Sequence, residues 1–178
     1  MSSLEHRLQI GLTLSLILLL GLLWWTAALA VRQLTEQFVL TRLGHDAEQV
    51  IAARTLALRN SSLGVSRIPP VYQQAYSGHY YAVRLPDGSV ERSRSLWDRE
   101  LAIPDLSPGS QRVNPAPGPE HQSLLVLAQG FEQGGKALVV VVAEDLAPLQ
   151  DQISHFQWLL AALMLIPGLL LWQRAHAE

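Results

Sequence analysis

Side chains able to do chemistry are few and scattered in this sequence. His45 and Glu48 stand three apart in a stretch free of proline, so on a helix they share a face, with Asp46 beside them. That is the beginning of a metal site, but two ligands do not make one. A solvated polar face opposite Leu43, Ala47 and Val50 accounts for the same residues. Ser77 with His79 and Ser154 with His155 pair a hydroxyl with an imidazole, yet no carboxylate completes either as a triad. There is no Gly-x-Ser-x-Gly, no His-Glu-x-x-His and no cysteine. These absences argue against a hydrolase, and neither a catalytic residue nor a metal nor a cofactor is assigned.

Binding chemistry is denser. Tyr80, Tyr81, Arg84, Arg92, Arg94 and Trp97 place aromatic rings and guanidinium forks on or beside one short segment. Guanidinium groups grip carboxylates and indole offers a stacking platform, so a pocket for an anionic ligand is sought here first. The same residues also serve ordinary core and solvent-face packing. Trp97 is expected as a buried anchor, either for the proline-rich loop that follows or for a helix lying on the sheet. Among the acids, Glu144, Asp145 and Asp151 could hold a metal bridge to anionic lipid, but Asp145 is better explained as a helix cap.

The element that must position all of these is Ile10–Val31, an uncharged run long enough to cross about 30 Å of hydrocarbon as a helix. It exceeds the apolar core of a cleaved signal peptide, and Trp24-Trp25 suits an interfacial anchor. A second uncharged run, Phe156–Trp172, has Trp158 and Trp172 near its ends and a kink expected at Pro167-Gly168. Short flanks carrying Arg7 and Arg174 place both termini in the cytoplasm. The resulting plan is 1–9 cytoplasmic, 10–31 first membrane helix, 32–157 outer domain, 158–172 second membrane helix and 173–178 cytoplasmic.

Within the outer domain, Leu40, Leu43, Ala47, Val50, Arg54 and Ala57 recur at spacings of three and four. This predicts a helix continuing out of the first span, with Phe38, Ile51 and Leu58 widening the stripe toward a second copy. Gly64 and Pro69-Pro70 are expected to stop it. Tyr80–Leu85 and Ser89–Leu96 read as a hairpin around Pro86-Asp87-Gly88. Pro104–Pro119 has too much proline for a ladder or a helix and is expected as an exposed, mobile loop. Ser123–Glu132 and Lys136–Ala143 form a second hairpin around Gly134-Gly135. Val139–Val142, apolar on both faces, belongs in the middle of a covered sheet. From Leu146 the spacing Leu149, Ile153, Phe156, Leu160, Leu163 carries one helical stripe into the second run. A net charge of −2 with scattered basic residues excludes a phosphate-tracking surface, so no nucleic-acid partner is expected.

Tyr76–Tyr81, Asp87-Gly88, Arg92–Asp98 and Ala143–Leu146, set between two apolar runs, resemble the input half of a bacterial two-component sensor histidine kinase. The resemblance implies an α+β fold: a PAS-like periplasmic domain flanked by two transmembrane helices, its antiparallel sheet carrying a long N-terminal helix and a membrane-proximal C-terminal one. It also implies the bacterial inner membrane as location and a homodimer as working state. The stimulus would be a small molecule or a protein, and a response regulator would be reached only through a kinase core. No glycine-rich nucleotide loop or phosphoacceptor segment occurs before Glu178, so kinase activity is not expected in this chain. A stand-alone interaction protein, or the input domain of a chemoreceptor or cyclic-nucleotide enzyme, shares the same plan.

Overall fold

The computed structural model describes residues 3–59 and 68–177. The chain is α+β, with a long N-terminal helix and a five-stranded antiparallel sheet. Helix α1 runs Ser3–Arg59, strand β1 His79–Arg84, β2 Val90–Arg92, β3 Gln111–Pro117, β4 Ser123–Gln133 and β5 Lys136–Asp145, and helix α2 runs Ala147–Ala177. Two compact units result. One comprises Met1–Glu36 with Leu149–Glu178, the other Gln37–Pro148.

In the first unit, one helix of the described residues has the length and apolar composition to cross a membrane, within Gly11–Leu56. Its residues are open on nearly every side, Leu18 being 75% exposed. The Trp24 indole donates to the Gln157 carbonyl at 3.4 Å, joining the two helices of this unit. The second expected span, 158–172, lies in α2, and its side chains over 163–172 fall outside the described residues.

The second unit is the sheet and its covers. Strand order is β2-β1-β5-β4-β3, so the valine-rich β5 is central. Successive side chains of a strand point to opposite faces. On one face Tyr80, Val126, Ala128, Val139, Val141 and Ala143 cluster with Leu96 and Leu124, and Leu101, Ile103, Leu106 and Ala116 close over them. The other face meets α1, whose buried residues are Val39, Leu43, Ala47, Val50 and Ala53. The predicted stripe is therefore the sheet-facing one at Leu43, Ala47 and Val50, while Phe38 is 68% exposed. Two ties hold α1 near its end: Arg54 to Glu91, and Gln133 Nε2 to Thr55 Oγ1 at 2.6 Å. The helix is assigned to Arg59, and Gly64 lies outside the described residues.

Two expectations need correction. The stretch Pro104–Pro119 is not wholly a loop, because β3 pairs with β4 from Gln111↔Gln129 to Pro117↔Ser123. β3 is an edge strand, and Pro115 and Pro117, spaced by two, both direct their missing N–H to the open side, where no ladder bond is lost. The returning strand of the first hairpin is also shorter than expected. The strand ends at Arg92; Ser93 N still donates to the Tyr81 carbonyl at 2.8 Å, but the return bond goes to a hydroxyl, Ser93 Oγ accepting from Tyr81 N at 3.1 Å, and Ser95 Oγ donates to the His79 carbonyl at 2.6 Å. Arg94–Leu96 then turn as a single 3₁₀ segment.

Gly130 shows how tightly the loop over the sheet is seated. A Cβ at this position would lie 2.2 Å from the Ser107 carbonyl oxygen, and the loop is fixed there by Gly109 N to Gly130 O and Gly130 N to Ser110 O, both 2.9 Å. Backbone cannot yield as a flexible side chain would. Gly130→Ala should lower stability by about 1–3 kcal/mol, read as a drop in the detergent-solubilised chain's melting temperature. An unchanged melt would mean that the 107–110 loop does not rest on β4.

Candidate functional site

The six residues singled out in the sequence separate in the fold because β1 alternates. Tyr80 enters the core cluster, its hydroxyl donating to Gln122 Oε1 at 2.6 Å and accepting from Gly78 N at 3.3 Å. Tyr81 points to the α1 side and meets Tyr72 edge-on, ring centroids 5.3 Å apart. Arg84 and Arg92 do converge. They line a cavity of ≈ 420 Å³ with Ala82, Val90, Leu96, Glu100, Leu101 and Ile103, a size within the ligand-site range. Arg94 is exposed, and Trp97 is 62% exposed, so the expected buried anchor is overturned. The segment that closes the apolar face is anchored by Leu96 instead.

Electrostatics decides what this cavity can hold. Arg84 is already committed: it donates to the Ile103 and Pro104 carbonyls at 3.4 and 3.0 Å and lies 2.7 Å from Asp105. It is a strut for the loop. Arg92 is held more loosely, by the Arg99 carbonyl at 3.3 Å and by Glu100 at 3.7 Å, whose side chain is 87% exposed. An exposed pair of this kind is worth at most about 1 kcal/mol and exchanges readily. The cavity therefore offers one guanidinium free to swap its partner, above an apolar floor.

A second group, on the α1 side, had no signature in sequence spacing. Arg42 is ion-paired with Glu144, a residue only 8% exposed. The other carboxylate oxygen, Oε2, is buried with no hydrogen-bond partner among the described residues. Next to it Tyr72 donates to Asp46 Oδ2 at 2.7 Å and stands edge-on to His79, centroids 6.3 Å apart. His79 and Glu144 are direct cross-strand partners. Asp46 thus turns inward to a phenol, while His45 and Glu48 stand 4.0 Å apart with both side chains at least 70% exposed, the solvated face read from the sequence. Asp145 is confirmed as a cap: Oδ1 accepts from Ala147 N at 3.0 Å and also from Ser123 N at 3.1 Å. Glu144 and Asp145 thereby fasten the end of β5 to α1, to β4 and to the start of α2.

All four tyrosines have raised phenol pKa values. Burial is the main cause at Tyr72, reinforced by its bond to Asp46, and burial also leads at Tyr80 and Tyr81. Tyr76 is raised through its bond to Asp98, whose carboxyl is correspondingly lowered.

No protein-family model matches the chain. A sensor protein kinase of Pseudomonas aeruginosa, CarS, is 33% identical over 160 residues, covering 89% of this chain and 35% of that protein. The chain thus spans about a third of the length of the curated relative it matches. A solved Mycobacterium tuberculosis transcriptional regulator aligns over 59% of this chain and 44% of that one at 15% identity, with a TM-score of 0.30, which is too low to carry any argument.

The tyrosines supply a direct check on the geometry. A folded pKa above the unfolded value near 10 contributes stability that is complete below about pH 10 and lost as pH rises through the folded value. Ultraviolet titration should therefore show phenolate appearing above the ordinary range, with the buried rings ionising only as the protein unfolds. Asp98→Asn should bring one phenol, Tyr76, back toward its ordinary value. Four phenols titrating near 10 in the folded chain would contradict the burial described.

Proposed function

We propose that this chain is the membrane-anchored sensing region of a sensor histidine kinase: a PAS-like domain outside the inner membrane, between two transmembrane helices, working as a homodimer. The observation that carries the reading is the 33% identity to a sensor protein kinase over 89% of the chain. Supporting it are the apolar helix within Gly11–Leu56 and an antiparallel sheet with a long helix on one face.

The mechanism requires no chemistry in this chain. A small-molecule or protein stimulus that fits one arrangement of the Arg84–Arg92 cavity better shifts the equilibrium by that difference in affinity. The cavity wall is β1 and β2 with the loop beyond Leu96, and β1 is laddered along its length to β5. At the end of β5, Glu144 grips Arg42 of α1, and Asp145 starts α2. A displacement of β5 therefore pulls on both helices. Phosphorylation of a response regulator would follow in a kinase core, by analogy with the relative.

Topology tests the reading most simply. A periplasm-active reporter inserted after Gly118, in the turn before β4, should be active, whereas one fused after Ala177 should be inactive. Equal activities at both sites would remove the two-span arrangement, and activities in the reverse order would place the domain in the cytoplasm; either result would overturn this route of signalling.

A further inference from the structure

Trp97 is a large apolar side chain held out to solvent on a backbone that a tryptophan rarely adopts, φ 53° and ψ −102°. Such a conformation is strained and persists only where its surroundings enforce it. Here they do. Trp97 N donates to the Arg94 carbonyl at 3.1 Å, Arg99 N to the Leu96 carbonyl at 2.9 Å, and Asp98 accepts from the Tyr76 hydroxyl at 2.6 Å. Tyr76 is itself at φ 54°, with its N bonded to the Ser95 carbonyl at 2.9 Å. Burying the indole would relieve exposure, yet Leu96 takes the core position and the ring is turned outward.

The location of this turn singles out what it would meet. Ser95 Oγ reaches the His79 carbonyl, and Gly78 O accepts from Asp145 N at 2.8 Å, so the turn sits at the sheet end where β5 finishes. That is also the end at which Arg42 of α1 joins Glu144. The first and last residues of the sheet unit, Gln37 and Pro148, are close in sequence to Arg42 and Asp145. Back along α1, Val31 precedes Val39 by about two turns, and along α2 Phe156 follows Ala147 by about two and a half. Arg94 and Arg99, both exposed, lie three residues before and two after Trp97 in the chain. Asp98 is engaged by Tyr76 and lies 3.8 Å from Arg99, and Arg94 has no ion pair among the described residues. An amphipathic indole beside guanidinium groups is the composition of a membrane–water interface.

We infer that the Trp97 turn is a lipid-contacting wedge, with the indole at headgroup level and Arg94 and Arg99 toward anionic headgroups. This rests on the membrane-anchored reading given above. Its role would be to fix the tilt of the sheet end against the bilayer, giving β5 a surface to move against.

The chain has no cysteine, so Trp97→Cys in the full chain takes one nitroxide label, as do Val113→Cys on the outer edge strand and Leu18→Cys in the apolar run. In vesicles of phosphatidylcholine and phosphatidylglycerol, the label at 97 should lose most of its collisions with a water-soluble nickel complex relative to 113. At 18, collisions with oxygen should dominate. A nickel collision rate at 97 equal to that at 113, with 18 in lipid, would overturn the wedge alone. A label at 18 open to nickel would overturn the membrane reading as well. Spin–spin broadening at 97 would assign the turn to a second copy, also overturning the wedge. The unsubstituted chain gives an independent reading: brominated lipid should quench the part of the emission that Trp97→Phe removes, and failure to quench it would refute the contact.

Discussion

The structure depends on one strand that cannot tolerate water on either side. Val139, Val140, Val141 and Val142 are each at most 4% exposed, so β5 must lie inside the sheet with a cover on both faces. Burying four valines contributes on the order of 6–12 kcal/mol by transfer alone, a figure set against the entropy of ordering the covers. The chain supplies two unlike covers. One is α1, whose small and branched residues Val39, Ala47 and Ala53 let it approach closely. The other is an irregular segment from Leu96 to Leu106 that adapts its outline to the opposite face.

This asymmetry separates structural from binding duties. The seam between helix and sheet is closed at one end by Arg54 with Glu91 and at the other by Arg42 with Glu144. The irregular cover leaves the Arg84–Arg92 cavity, with one guanidinium holding the loop and the other weakly engaged. The irregular cover and the helix thus lie on opposite faces of the sheet whose centre is β5. The carboxylates that end β5 make it the shared member between α1 and α2.

Much of this was legible in the sequence, for identifiable reasons. Period-two and period-three-to-four patterns gave both hairpins, the central place of Val139–Val142 and the inward stripe Leu43, Ala47, Val50, because burial enforces periodicity. Asp145 as a cap and Gly134-Gly135 as a turn, with φ 59° and 75°, followed from local backbone chemistry. What was not legible is long-range. Proline content argued against a strand at Gln111–Pro117, and only edge position makes it permissible. Alternation on β1 divided Tyr80 from Tyr81, so a cluster in sequence became two sites in space. Trp97 looked like core by type, and its exposure is set by a backbone conformation that composition does not encode. Arg42, Asp46, Tyr72 and Glu144 are brought together by tertiary packing alone, and no spacing announces them.

Transmission through β5 requires that its end be energetically joined to α1. A double-mutant cycle on Arg42→Met and Glu144→Gln, followed by denaturant unfolding of the full chain in detergent, measures that directly. Removing the guanidinium leaves a carboxylate in a site that is 8% exposed, so Arg42→Met should cost far more with Glu144 present than with Gln in its place. A coupling of about 1–3 kcal/mol is the predicted result. Additivity within about 0.5 kcal/mol would contradict it, leaving β5 and α1 as neighbours that share a core but not a linkage.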